Sequence, residues 1–151
     1  MLTEVELDEE EWTSSIESKD NLGTDVYSTA VSAITRFSKD IGEKKTLEAN
    51  KSEIMKKIQS ANWVDRQAGY TCLGLIAESC ADYFKKELEQ SFNLAKMGVS
   101  DSHYRVKYAA LGAMANLFAV CAPTAQSRYH TEVLPVLIQL MLTEPFIKMQ
   151  T

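Results

Sequence analysis

Apolar residues recur every three or four positions along most of the chain, which is the spacing of one face of an α-helix. In residues 47–60, for example, Leu47, Ile54 and Ile58 fall on one helical face. Near the end of the chain the pattern i, i+3, i+4, i+7 predicts a core-facing stripe of Leu134, Leu137, Ile138 and Met141. The periodic stretches predict helices over about 25–39, 47–60, 63–80, 83–97, 104–121 and 125–142.

One of these helices occurs twice. The stretch from Trp63 to Cys80 reads WVDRQAGYTCLGLIAESC, and the stretch from Tyr104 to Cys121 reads YRVKYAALGAMANLFAVC. A shift of 41 residues, called the repeat shift below, places Trp63 on Tyr104. It also pairs Arg66 with Lys107, Ala68 with Ala109, Leu73 with Met114, Ile76 with Leu117, and Cys80 with Cys121. Each pair shares its chemistry. A period near 40 is typical of stacked two-helix repeats of the HEAT kind.

We therefore expect an all-α fold, an α-solenoid (a HEAT/armadillo-like superhelix) of about three antiparallel helix pairs. The predicted divisions are an acidic leader at 1–24, repeats at 25–60, 61–100 and 101–143, and the beginning of a further repeat at 144–151. The side chains expected between the layers are Leu73, Ile76, Met114, Leu117, Leu134 and Ile138. Solenoid ends need polar caps, and neither end has an evident one, so we interpret the chain as an internal segment of a longer protein.

Two local signals mark helix ends in the third pair. Asp101-Ser102 predicts an N-cap, because short polar side chains satisfy the first free backbone N–H groups of a helix. Pro123 follows Cys121 closely and favours a helix end there.

Charge is distributed unevenly along the chain. Residues 1–25 contain nine acidic residues and one basic residue, a balance of −8, whereas the remainder is +3 and the whole chain is −5. A concentrated acidic run can attract a basic partner. The alternative is a solvated leader without a partner, because like charges repel and keep a segment extended.

The other charged and reactive residues favour structural roles. Lysines on the predicted second helices alternate with glutamates, which argues against direct nucleic-acid binding. His103 and His130 lie far apart in the sequence, with no carboxylate or thiol at ligand spacing. The repeat-equivalent Cys80 and Cys121 are expected in the core, and an odd total of three cysteines favours a reduced intracellular environment. Arg66 and Lys107 occupy equivalent positions, and we expect both to form ion pairs or C-cap contacts between neighbouring repeats.

Nothing in the sequence indicates an enzyme, a cofactor site or a metal site. The phosphate-binding, dinucleotide-binding, zinc-protease and nucleophile-elbow patterns do not occur. No apolar run approaches the ~18 residues that a membrane span requires. Trp63 and Tyr104 occupy equivalent positions in the repeat, so we expect Trp63 to have a structural role.

The segments DEEEW (8–12), NWVDRQAGYTCLGLIAESC (62–80), SDSHYRVKYAALGAMANL (100–117) and YHTEVLPVLIQLM (129–141) together resemble the importin-β (karyopherin-β) family. The resemblance spans about residues 4–142 and is greatest to the branch called importin beta-three or importin five. Ile41-Gly42 and Lys44 also match that branch. Tyr104 replaces a proline and Lys107 an arginine of the family pattern, and the family's GEGC is Ala77-Glu78-Ser79-Cys80 here.

The resemblance implies a segment of a nuclear transport receptor that carries protein cargo through nuclear pores under control of the Ran GTPase. It implies shuttling between cytoplasm and nucleus, with cargo, Ran and nucleoporins as partners, and no membrane insertion. It identifies the acidic run as an acidic loop that contacts Ran or basic cargo. The residues of that run are Glu4, Glu6, Asp8, Glu9, Glu10, Glu11 and Trp12. A generic HEAT-repeat scaffold subunit of a multiprotein complex is the alternative.

Overall fold

The computed structural model describes residues 26–143, and within that range it contains α-helices and no β-strand. The all-α prediction is confirmed. The helices are α1 Val26–Ile41, α2 Glu43–Ile58, α3 Trp63–Ile76, α4 Ala81–Lys86, α5 Leu88–Val99, α6 Tyr104–Val120 and α7 Thr124–Thr143.

The helices stack in layers, with α3 at the centre. Helix α3 packs against α2 on one side and against α6 on the other, and α5 also packs against α6. The side chains between these layers are almost fully buried, with Ile76 and Leu117 each 1% exposed and Val106 0% exposed. Leu73 and Met114 are buried too. Four of the six predicted interlayer residues are therefore confirmed.

Glycines bring the layers close together. A Cβ placed on Gly98 of α5 would lie 2.4 Å from Cζ of Tyr70 and 2.6 Å from Cβ of Ala110. Gly74 of α3 lies against the backbone of Ala113, and its carbonyl accepts a hydrogen bond of 3.2 Å from Asn116 Nδ2. Glycine at these positions lets α3 and α5 approach α6 at backbone distance.

The ends of the helices differ in part from the predictions. Helix α6 is capped by His103, whose Nδ1 accepts from the backbone N–H of Arg105 at 3.3 Å, so the predicted cap at Asp101-Ser102 is wrong. Asp101 instead accepts from the backbone N–H of His103 at 2.8 Å. Helix α6 ends at Val120, ahead of Pro123 as predicted.

The predicted helix over 83–97 is two helices, α4 and α5, because the backbone departs from helical geometry at Glu87. The predicted helix over 63–80 ends early, at Ile76. Phe84 and Leu88 are both buried on either side of the break. Both short helices therefore contribute a side chain to the core.

Three of the four residues of the stripe predicted on α7 do not face the core, whereas Leu137 is half-buried and packs against it. Leu134, Ile138 and Met141 are 55–56% exposed, whereas Tyr129 and Leu140 are buried. Helix α7 carries two apolar stripes with helical spacing, and periodicity cannot choose between them. The Tyr129 ring, which stacks on Phe92 of α5, places the other stripe inside.

Candidate partner-binding surfaces

The acidic run predicted to bind a basic partner lies outside the residues that the structure describes. Its role therefore stays a prediction. Within residues 26–143 no group of three or more histidine, cysteine, aspartate or glutamate side chains could hold a metal ion. No helix in the same range is long and apolar enough to cross a membrane.

Trp63 lies where the start of α3 contacts the start of α6, a contact between two layers that is called the joint below. Its ring stacks on His103 with centroids 3.9 Å apart and an angle of 5° between the planes. The guanidinium carbon of Arg105 lies 5.6 Å from the Trp63 ring and 5.9 Å from the Tyr104 ring. Because the first residue of α3 contacts the residues that begin α6, the structural interpretation of Trp63 is confirmed.

Arg66 forms the strongest polar contact at the same joint. Its Nε and one terminal nitrogen donate to the two carboxylate oxygens of Asp101 at 2.7 and 2.9 Å. The other terminal nitrogen donates to the backbone carbonyls of Ser60 and Ala61 at 3.1 and 2.9 Å. The interpretation of Arg66 as a link between neighbouring repeats is confirmed.

Electrostatics at this joint favour the ionised pair. Burial alone would raise the pKa of Asp101, but the hydrogen bond from Arg66 and the backbone hydrogen bond from His103 outweigh it and lower that pKa. The hydrogen bond to Asp101 likewise raises the pKa of Arg66. Burial raises the pKa of the nearby Tyr70 hydroxyl to about 12, and this hydroxyl donates to the Leu94 carbonyl at 3.2 Å.

The cysteines occupy the core positions that the repeat predicted. Cys80 is 0% exposed and Cys121 is 2% exposed. Burial, with a smaller contribution from the charge of Glu43, raises the pKa of Cys80 to about 11. Burial also raises the pKa of Cys72 to about 11. These thiols are protonated at neutral pH and are poor nucleophiles.

A groove of about 290 Å³ opens between α2, α3, α4 and α5, and sequence reasoning missed it. Its lining residues are Leu47, Lys51, Ile54, Met55, Leu73, Ile76, Tyr83, Phe84, Gln90, Ser91, Asn93, Leu94 and Met97. The one signal in the sequence is Lys51, which interrupts the apolar face of α2 between Leu47 and Ile54. Such an interruption is common on surface helices, so it could not identify a groove.

The second helices also expose apolar side chains outside the core. Met97 of α5 is 68% exposed and Leu142 of α7 is 78% exposed, beside the exposed stripe of α7. The repeat shift relates Met97 to Ile138, so both layers expose an apolar side chain at the equivalent place. On α7 the exposed Leu134, Ile138, Met141 and Leu142 follow one helical stripe, which is a feature of surfaces that contact other proteins.

The chain is similar over its whole length to a nuclear transport protein. No protein-family model matches it. It is 27% identical to importin subunit beta-3 of Saccharomyces cerevisiae, with 100% of this chain and 14% of that protein covered. The resemblance to the importin-β family is confirmed.

Solved structures of the karyopherin Kap121p have the same fold. The complex with the extreme C-terminus of the protein phosphatase Cdc14p superimposes with a TM-score of 0.83 at 25% identity. The complex with the SUMO protease Ulp1p gives 0.83 at 26% identity. Each covers 99% of this chain and 15% of Kap121p. These matches confirm the α-solenoid prediction, and the chain spans about one seventh of the length of its karyopherin relatives.

Proposed function

We propose that the chain is a segment of an importin-β-type nuclear transport receptor. It binds protein cargo, and it shuttles between cytoplasm and nucleus through nuclear pores under control of the Ran GTPase. The observation that carries this proposal is the similarity to importin subunit beta-3 over the whole of this chain. That similarity favours a receptor segment over a generic HEAT-repeat scaffold.

The role in binding rests on the relatives and on the fold. Two solved structures of Kap121p are complexes with other proteins, a phosphatase C-terminus and a SUMO protease. Stacked helix pairs present extended surfaces suited to such partners. We retain the repeat boundaries at 25–60, 61–100 and 101–143 as predictions.

We further propose that the acidic run, Glu4 to Trp12, contributes to binding Ran in its GTP form or a lysine- and arginine-rich cargo. Exposed carboxylates each contribute little. The effect must come from several acting together, and it should act mainly on the association rate. Screening should weaken it as salt rises, because the Debye length is about 8 Å at physiological ionic strength.

The experiment is a chimera in which this chain replaces the matching segment of yeast importin subunit beta-3. We expect the chimera to bind Ran·GTP and cargo and to support nuclear import. A second chimera carries Asp8→Asn, Glu9→Gln, Glu10→Gln and Glu11→Gln together. We expect it to associate more slowly with Ran·GTP or basic cargo at low salt, and this difference should disappear at high salt.

The matched control neutralises four exposed carboxylates elsewhere, at Asp40, Glu48, Glu53 and Asp82. Association with both partners should be unchanged in this control. A folded chimera that binds neither Ran·GTP nor cargo would contradict the receptor proposal. Equal association rates for both chimeras at low salt would mean that the acidic run is a solvated leader that does not contribute to binding.

A further inference from the structure

Two equivalent helices carry different side chains where the groove lies. The repeat shift places α2 on α5, so that the buried Ile58 corresponds to the buried Val99 and each ends its helix. At the middle of the two helices, Lys51 of α2 corresponds to Phe92 of α5.

In the second layer the aromatic ring fills the available space. Phe92 is 2% exposed, and its ring stacks on Tyr129 with centroids 3.8 Å apart. It also stacks on Phe118 at 6.1 Å. The space left beside Phe92, Met114 and Val133 is only about 10 Å³.

In the first layer the equivalent space stays open. Lys51 is exposed, and its ammonium lies 5.0 Å from the centre of the Tyr83 ring. The volume of about 290 Å³ remains between the helices. This is near the lower end of the range for small-molecule sites, about 300–1,000 Å³, and it suits a few side chains of another protein.

The charge of the groove selects among partners. Among the described residues that line it, Lys51 carries the one charge, and none of them is a carboxylate. A hydrogen bond with Tyr83 is the largest cause that raises the pKa of Lys51 above its ordinary value, so the ammonium is cationic at neutral pH. Glu87 lies outside the lining, at the break between α4 and α5. A lysine- or arginine-rich segment would meet repulsion here, whereas a carboxylate would meet attraction.

We propose that this groove binds a segment of a partner protein that presents a large apolar side chain next to a carboxylate. The apolar side chain enters between Leu47, Ile54 and Leu94, and the carboxylate pairs with Lys51. Exposed Gln90 and Asn93 at the rim offer amide groups to the backbone of the segment. This goes beyond the proposed function, which places basic partners at the acidic run.

The test uses three fluorescein-labelled peptides and the full chain, measured by fluorescence anisotropy. Each peptide holds a central Leu-Phe pair in a Gly/Ser background, flanked by two Glu, two Gln or two Lys residues. We expect the Glu peptide to bind most tightly and the Lys peptide most weakly. Lys51→Glu should reverse that order, and the Glu peptide should lose about two- to fivefold in affinity, the usual scale for an exposed ion pair.

Lys51→Phe tests the groove itself, because it restores the side chain of the equivalent position in α5. We expect this variant to lose at least about tenfold in affinity for all three peptides while retaining its helical circular dichroism. The matched controls are Lys45→Glu and Lys45→Phe, on an exposed lysine of the same helix that does not line the groove. Their affinities should equal that of the unchanged chain.

Three outcomes would overturn the proposal. One is equal affinity for the three peptides, and another is tightest binding of the Lys peptide. The third is binding that appears only after Asp8, Glu9, Glu10 and Glu11 are neutralised, which would make the chain's own acidic run the occupant. None of these measurements involves Ran or import, so this inference and the proposed function can fail separately.

Discussion

Gly98 and Gly112 give a matched test of how closely the layers approach. Both are helical glycines, in α5 and α6, and neither has a positive φ. In an open helix the change from glycine to alanine stabilises by roughly 1 kcal/mol, because glycine loses more backbone entropy on folding. Gly112 is exposed, and a Cβ there would meet nothing within 4 Å. We therefore expect Gly112→Ala to raise the free energy of unfolding by up to about 1 kcal/mol.

At Gly98 the same methyl group should have the opposite effect. Its Cβ would lie 2.4 Å from the Tyr70 ring and 2.6 Å from Cβ of Ala110, so α5 must move outward or the ring must turn. Tyr70 is 2% exposed, and its hydroxyl is bonded to the Leu94 carbonyl, so turning the ring would break that bond. Overpacking of this kind costs about 1–3 kcal/mol. We expect Gly98→Ala to lower the free energy of unfolding by that amount.

The assay is urea unfolding followed by far-ultraviolet circular dichroism, with linear extrapolation to water. Ala110→Gly should itself cost about 1 kcal/mol, and because it removes one of the two close contacts, the double variant should lose less stability than the sum of the two single variants. If Gly98→Ala stabilises the chain as much as Gly112→Ala does, the close approach of α5 to α3 and α6 is refuted.

Two further substitutions probe the core and the joint. Leu117→Ala should destabilise by about 2–5 kcal/mol in the same assay, because the side chain is 1% exposed and its loss leaves a cavity; a change below about 0.5 kcal/mol would contradict its interlayer position. Asp101→Asn should destabilise by about 1–3 kcal/mol at neutral pH, because it leaves the Arg66 guanidinium without its anion in a site where both side chains are less than one-fifth exposed. Folding lowers the pKa of Asp101, so the stability that its carboxylate contributes is complete above the unfolded pKa near 4 and is lost as pH falls through the lower folded pKa. The difference in free energy of unfolding between the unchanged chain and Asp101→Asn should therefore shrink in acid. A difference that grows in acid would be inconsistent with the ion pair.

The sequence predicted the layers well because the repeat constrains both members of each pair. Ile76 and Leu117 are equivalent across the repeat shift, and both are 1% exposed. Cys80 and Cys121 follow the same rule. Leu73 and Met114 are equivalent and buried as well, so on the first helix of each repeat equivalence is stronger information than periodicity within one helix.

Predictions failed where one helix had to be interpreted alone. The stripe containing Leu134 and Ile138 has correct helical spacing, but the stacking of Tyr129 on Phe92 turns the other stripe inward. The cap at α6 uses His103, because Asp101 is already bound to Arg66 from the preceding layer. Both outcomes depend on contacts between residues about one repeat apart, which local pattern cannot reveal.

The groove could not be predicted, because a difference between two equivalent positions does not by itself show whether the surrounding side chains fill the space. Phe92 closes the second layer, and Lys51 leaves the first layer open. A lysine within an apolar face is ordinarily exposed to solvent, so the position of Lys51 in the sequence does not predict a groove. Only the comparison of the two layers in space identifies the opening.

Ion pairs between residues roughly one repeat apart have a mechanical consequence. Lys39–Glu78, Lys96–Glu132 and Arg128–Glu89 join neighbouring layers through side chains that are all more than two-fifths exposed, whereas the Arg66–Asp101 pair is shielded. Salt screens the exposed pairs and leaves the shielded pair largely intact. The junction between the second and third layers therefore keeps its shielded pair, while the exposed pairs around it weaken as ionic strength rises. The resistance of the stacked layers to bending therefore depends on the ionic strength of the solution as well as on the sequence.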